Sequence, residues 1–160
     1  SRSCPVTRQQ VEKGLSQAKW EGRMEEVLPG VFIDGAHNED GMQAFLESVR
    51  EDGCRGKRHL LFSAVADKRV EPMAQSIVDS GLFEDVAIAR LDSPRSLTEE
   101  QLDSLWSGRN QVRLYHSPEQ AMEALLEKKR PEDEVYAAGS LYLAGQLKAY
   151  LEKRKQKQQL

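Results

Sequence analysis

The sequence predicts an α/β domain in three layers, a doubly wound and mostly parallel sheet of Rossmann-like type. Three observations carry this. Short apolar runs of strand length recur at 31–33, 60–62, 86–89, 112–115 and 135–138, with segments of helical spacing between them. The runs are short and apolar rather than cleanly alternating, as expected of strands covered by helices on both faces. At 160 residues, with 39% apolar and 31% charged, the chain has room for one core without disulfide or metal support, and none for a second full domain.

Residues 1–23 hold no evident strand and only a weak helical stretch around 7–18. They read as a linker segment, and the start at Ser1 suggests a trimmed piece. After the first strand, Val31-Phe32-Ile33, the segment 39–52 places Met42, Phe45, Leu46 and Val49 on one helical face, with Asn38 as its N-cap. Leu60-Leu61-Phe62 follows, then 70–80 with Val70, Met73, Ala74 and Ile77 spaced alike. The strand 86–89 leads to a capping box, Thr98 with Gln101 three residues on. Strand 112–115 is followed by Ser117-Pro118, a cap with proline at the first helical position, and by Ala121, Met122, Ala124, Leu125 and Leu126. The last strand, 135–138, runs into a helix striped by Leu143, Leu147 and Leu151. The α/β domain thus spans 24–152, and 153–160 is a polar tail continuing that helix.

A net charge of -3 supplies no broad positive field, so nucleic acid is not expected as a partner. No apolar run is long enough for a membrane, and the first residues lack a secretory signal, so a cytoplasmic protein is expected. Cys4 and Cys54 stand far apart without metal-ligand spacing and read as free thiols.

Ligands of doubly wound sheets bind beyond the carboxyl ends of the strands. The first strand ends in Asp34-Gly35-Ala36-His37-Asn38. Asp34 there can accept hydrogen bonds from a ribose or hold a cation, and neither it nor His37 has an evident structural task. The last strand ends in Gly139-Ser140, where Gly139 permits close approach and Ser140 is either a helix cap or an anion contact. Asp67 and Lys68 after the second strand and Arg95 after the third share the same edge, Lys68 reading first as a surface charge and Arg95 as a weaker signal still. Arg23, beside Trp20 and Gly22, is either a phosphate fork or a solvated loop arginine.

The blocks W-E-G-R-M-E at 20–25, D-G-A-H-N at 34–38, F-S-A-V-A-D-K-R at 62–69 and G-S-L-Y-L at 139–143 resemble, in order and separation, the carboxyl-terminal domain of folylpolyglutamate synthase/dihydrofolate synthase. That family belongs to the Mur ligase superfamily, and the resemblance spans about residues 10–152. Departures are Glu39, where the family commonly has proline, and Arg69, where it commonly has a second acid.

The resemblance implies an ATP-dependent ligase that activates a folate or dihydropteroate carboxylate as an acyl phosphate, which the amine of L-glutamate attacks. It implies ATP and Mg2+ as cofactors, Arg23 on ATP phosphate, Asp34 on the ribose or base side of the nucleotide, and a catalytic His37 beside the phosphate or glutamate. Ser140 becomes a candidate for the same pocket. No G-x-x-x-x-G-K-[ST] occurs in these residues, so an amino-terminal P-loop domain of the same protein is the expected partner and holder of the metal. The fragment alone is expected to be inactive and monomeric. A peptidoglycan-building Mur ligase domain, or a free-standing nucleotide-sensing or protein-binding module, remains the alternative.

Overall fold

In a computed structural model, residues 24–66, 69–108 and 111–158 are described. Along the chain run β1 (Met24–Leu28), β2 (Val31–Asp34), α1 (Glu39–Glu51), β3 (Arg58–Phe62), α2 (Val70–Ser80), β4 (Asp85–Ala89), α3 (Glu99–Leu105), β5 (Val112–Tyr115), α4 (Pro118–Lys128), β6 (Glu134–Ala138) and α5 (Leu141–Gln158). The strands form one sheet in the order β1-β2-β6-β3-β4-β5. All neighbours are parallel except β1 and β2. The weak helical stretch expected at 7–18 lies outside the described residues.

The four helices whose apolar spacing is readable, α1, α2, α4 and α5, bury the face it predicts. Met42, Phe45, Leu46 and Val49 of α1 join Met73, Ala74 and Ile77 of α2 and Leu102 of α3 over one side of the sheet. Ala121, Met122 and Leu125 of α4 and Leu143, Leu147 and Leu151 of α5 cover the other. A side chain of this size, fully buried, contributes roughly 1.5–3 kcal/mol, so the two layers together hold the sheet. The caps form as expected. Asn38 accepts from the Gly41 N–H, Ser117 from that of Gln120, and the Thr98–Gln101 box closes in both directions. The polar tail is helical through Gln158.

One strand was not expected. β1 is an antiparallel edge strand turned back from β2 by Pro29-Gly30, with Gly30 at φ 74. Its sequence, MEEVL, carries two acids because the middle of the strand is exposed, which hides it from a search for apolar runs.

The topology fixes where a crevice opens. β6 inserts between β2 and β3, yet α1 and α2, which follow β2 and β3, pack on one face, while α5, which follows β6, packs on the other. Helices therefore depart in opposite directions from neighbouring carboxyl ends, the arrangement that leaves an open rim for a ligand.

Candidate functional site at the carboxyl ends of the central strands

The rim is built by two chain segments tied to each other. Beyond β2, one carboxylate oxygen of Asp34 accepts from the Ala36 N–H at 2.7 Å, folding the chain back over the strand end. The Ala36 carbonyl then accepts from the Gly139 N–H at 2.9 Å, joining this loop to the end of β6. Gly139 itself admits no side chain. Its φ is 128, and a Cβ there would lie 2.1 Å from the Ser63 carbonyl oxygen. The next residue, Ser140, accepts from the Tyr142 and Leu143 N–H groups at 3.0 and 3.4 Å and so caps α5. Its hydroxyl hydrogen stays available to another acceptor.

Above this floor lies a hollow of about 440 Å³ lined by His37, Val65, Arg95, Ser140, Leu141 and Tyr142. His37 is half-buried, with Nδ1 2.9 Å from the Gly35 carbonyl, which leaves Nε2 to face a ligand. The loop carrying Arg95 is pinned to the chain beyond β3, where Ala66 N–H donates to the Arg95 carbonyl and Leu97 N–H to that of Ala64. The Arg95 guanidinium donates to the Tyr142 hydroxyl at 3.2 Å and lies 5.8 Å from the ring centroid. Leu141 and Tyr142 are 40% and 49% exposed, among the few large apolar side chains on the surface.

Asp34 does not line the hollow. It is only 1% exposed, and its second oxygen, Oδ2, has no hydrogen-bond partner among the described residues. Burial outweighs the Ala36 hydrogen bond and pushes the carboxyl up to about 6. A buried, unsatisfied carboxylate oxygen costs stability, and a hydroxyl arriving from outside would satisfy it.

Of the four residues singled out from sequence, His37 and Ser140 meet in one hollow, and Asp34 lies buried at the end of β2, outside its lining. Arg23, like Asp67 and Lys68, falls outside the described residues. Arg23 nonetheless directly precedes Met24, which pairs with Asp34. Arg95 proves to be part of the hollow, and Tyr142 was missed. Its signal was present, since position 142 is aromatic yet off the apolar stripe at 143, 147 and 151. Among the described residues, no group of three or more His, Cys, Asp or Glu side chains could hold a metal ion. No helix among them is long and apolar enough to cross a membrane.

Residues 22–141 match the family described as Mur ligase, glutamate ligase domain. The chain is 28% identical over 149 residues to dihydrofolate synthase/folylpolyglutamate synthase of Bacillus subtilis, covering 91% of this chain and 34% of that protein. It therefore spans about a third of that relative's length. Among solved structures, E. coli FolC in complex with ADP superposes with a TM-score of 0.75 at 21% identity, covering 96% of this chain and 37% of that one. The bifunctional folylpolyglutamate synthase/dihydrofolate synthase of Yersinia pestis, complexed with AMPPNP and Mn ion, gives 0.72 at 20% identity, covering 94% and 36%.

Proposed function

The chain belongs to the Mur ligase family as its glutamate ligase domain, and from that premise we propose that it forms one wall of the active site of a folylpolyglutamate/dihydrofolate synthase. The observation that carries this reading is the bonded chain from Asp34 through Ala36 to Gly139, which leaves one Asp34 carboxylate oxygen unsatisfied, at the same sheet edge as a hollow that gathers His37, Ser140 and Arg95. ATP, held chiefly by an amino-terminal P-loop domain, supplies the phosphoryl group that activates the acid. Mg2+ is held there too.

The chain's own residues then position and neutralise. Asp34, ionised at neutral pH, accepts from a ribose hydroxyl through its unsatisfied Oδ2. Arg23, next along the chain from the residue paired with Asp34, meets phosphate oxygens with a planar fork. His37 offers Nε2 to the phosphoryl oxygen or to the amine of the incoming glutamate. Arg95, steadied against Tyr142, offers a fixed cation to a carboxylate of that amino acid, and the Ser140 hydroxyl adds a donor. Holding the amine close to the activated carbon supplies the proximity on which such a reaction depends.

The test is kinetic and uses the full-length ligase. Arg95→Ala is expected to raise KM for glutamate at least tenfold, about 1.4 kcal/mol, with KM for ATP little changed, while Asp34→Asn raises KM for ATP. An equal effect of Arg95→Ala on both substrates would defeat the assignment. Dihydropteroate and folate are the expected acids, and ligation only of a muramyl precursor would overturn the folate reading.

A further inference from the structure

A second hollow, of about 410 Å³, opens at the opposite, amino-terminal edge of the sheet, between β4, β5 and the end of α4. Its volume is that of a small-molecule site. The acids inside it are already matched. His59, 3% exposed, is bracketed by Asp85 at 2.6 Å from Nδ1 and Asp133 at 3.3 Å from Nε2. Lys128 Nζ meets the other oxygen of Asp85 at 2.6 Å, and Asp133 also accepts from the Lys57 and Arg130 backbone N–H groups. When the imidazole is protonated, the state its two carboxylate partners favour, His59, Lys128, Asp85 and Asp133 sum to zero. Lys57 faces Glu84 at 3.8 Å, a loose surface pair.

Two charges are left over. Arg113, on β5, and Arg130, beyond α4, line the same hollow, both exposed to solvent, and neither side chain forms an ion pair or hydrogen bond among the described residues. Gln111, also in the lining, sits at φ 66, the only non-glycine residue with positive φ among those described, and its carbonyl accepts from the Val86 N–H. An uncommon backbone conformation secured by a sheet bond shapes this part of the lining.

We propose that this hollow is a binding site for a small multivalent oxyanion, clamped between the Arg113 and Arg130 guanidinium groups. The chain as a whole is negative, so the local surplus is not a spillover of a basic surface. Planar forks from two elements suit closely spaced oxygens, whether phosphate or carboxylate. The neutral tetrad beneath keeps the floor from repelling the anion. Because the hollow lies across the sheet from the rim of Asp34 and Ser140, it is independent of the ligase reading.

Amide NMR titration of this 160-residue chain at low ionic strength, with inorganic pyrophosphate in one arm and citrate in the other, tests the site. Saturable shifts at Lys57, Arg113 and Arg130 are expected, weakening as NaCl is added. Pyrophosphate alone would mark a phosphate site, citrate alone a carboxylate site, and both a general oxyanion clamp. In the double variant Arg113→Gln/Arg130→Gln the affinity is expected to fall about tenfold or more, each single variant losing part of it. Arg50→Gln, an exposed cation on α1, is the unchanged control. Absence of saturable shifts with either anion, shifts confined to His37 and Ser140, or double-variant binding equal to the parent's would overturn the proposal. Spectral dispersion of each variant reports that it is folded.

Discussion

Two buried carboxylates mark the two ends of the sheet and behave in opposite ways. Asp133 receives two backbone N–H groups and the His59 ring, and these hold it down to about 2 despite burial. Asp34 receives one N–H and is pushed up to about 6. A carboxyl whose folded pKa lies above its unfolded value of 3.8 costs nothing below that value and its full penalty above about 6. Asp34→Asn is therefore expected to stabilise the chain at pH 7 by on the order of 1–3 kcal/mol in urea unfolding, an effect that fades toward pH 4. Equal or lower stability at pH 7 would show that the carboxylate is better satisfied than its surroundings suggest. His59 carries the reverse sign. Its two aspartates raise it above 6.5, so the stability it contributes is full below about 6.5 and is lost as pH rises through the higher folded value. His59→Gln should cost about 3 kcal/mol at pH 6, because it removes the cation held between Asp85 and buried Asp133, and should flatten the decline of stability above pH 7. At this scale the sequence disclosed Asp34 and His37 by their place at a strand end, but not the pairing of His59 with acids 26 and 74 residues away. Long-range partners leave no mark in local spacing.

Elements were legible wherever a helix or strand is covered on its core side by enough apolar residues to show a period. The five parallel strands, the helical faces and the caps at Asn38, Thr98 and Ser117 follow from that rule. β1 escaped because an antiparallel edge strand needs neither continuous apolarity nor a covering helix, and Glu25 and Glu26 can face solvent. Pro29-Gly30 was the readable sign, a proline followed by a residue suited to positive φ, as a type II turn demands. Gly30→Ala is expected to cost about 1–2 kcal/mol, from the left-handed conformation and a Cβ 2.8 Å from the mobile end of Lys129. Amide exchange should quicken first in Met24–Leu28, and uniform quickening over the whole sheet would show that β1 is not a separable unit. Gly139→Ala differs in kind. The clash there is with backbone, at 2.1 Å from the Ser63 carbonyl, so the ends of β3 and β6 must part and a loss of more than about 3 kcal/mol follows.

At the scale of the molecule, the proposed function gives the chain only one surface to offer a nucleotide. Among the described residues the carboxyl rim supplies a histidine, an arginine tethered to a tyrosine, a capping serine and a buried carboxylate, and no group able to hold a metal ion. Against a triphosphate's charge this is too little. The sequence of 160 residues contains no P-loop, and the association cost of several kcal/mol must be met before any affinity appears. Titration calorimetry of the chain with Mg-ATP is accordingly expected to give a dissociation constant of about 1 mM or weaker, less than roughly 4 kcal/mol of net binding. A micromolar constant would mean that the wall is a complete site and would favour a free-standing nucleotide sensor over a ligase domain. The same titration on a full-length ligase should be tighter by orders of magnitude. Asp34→Asn should weaken that tighter binding while leaving the isolated chain's weak binding nearly unchanged, because a ribose contact contributes only when a second wall fixes the nucleotide against it.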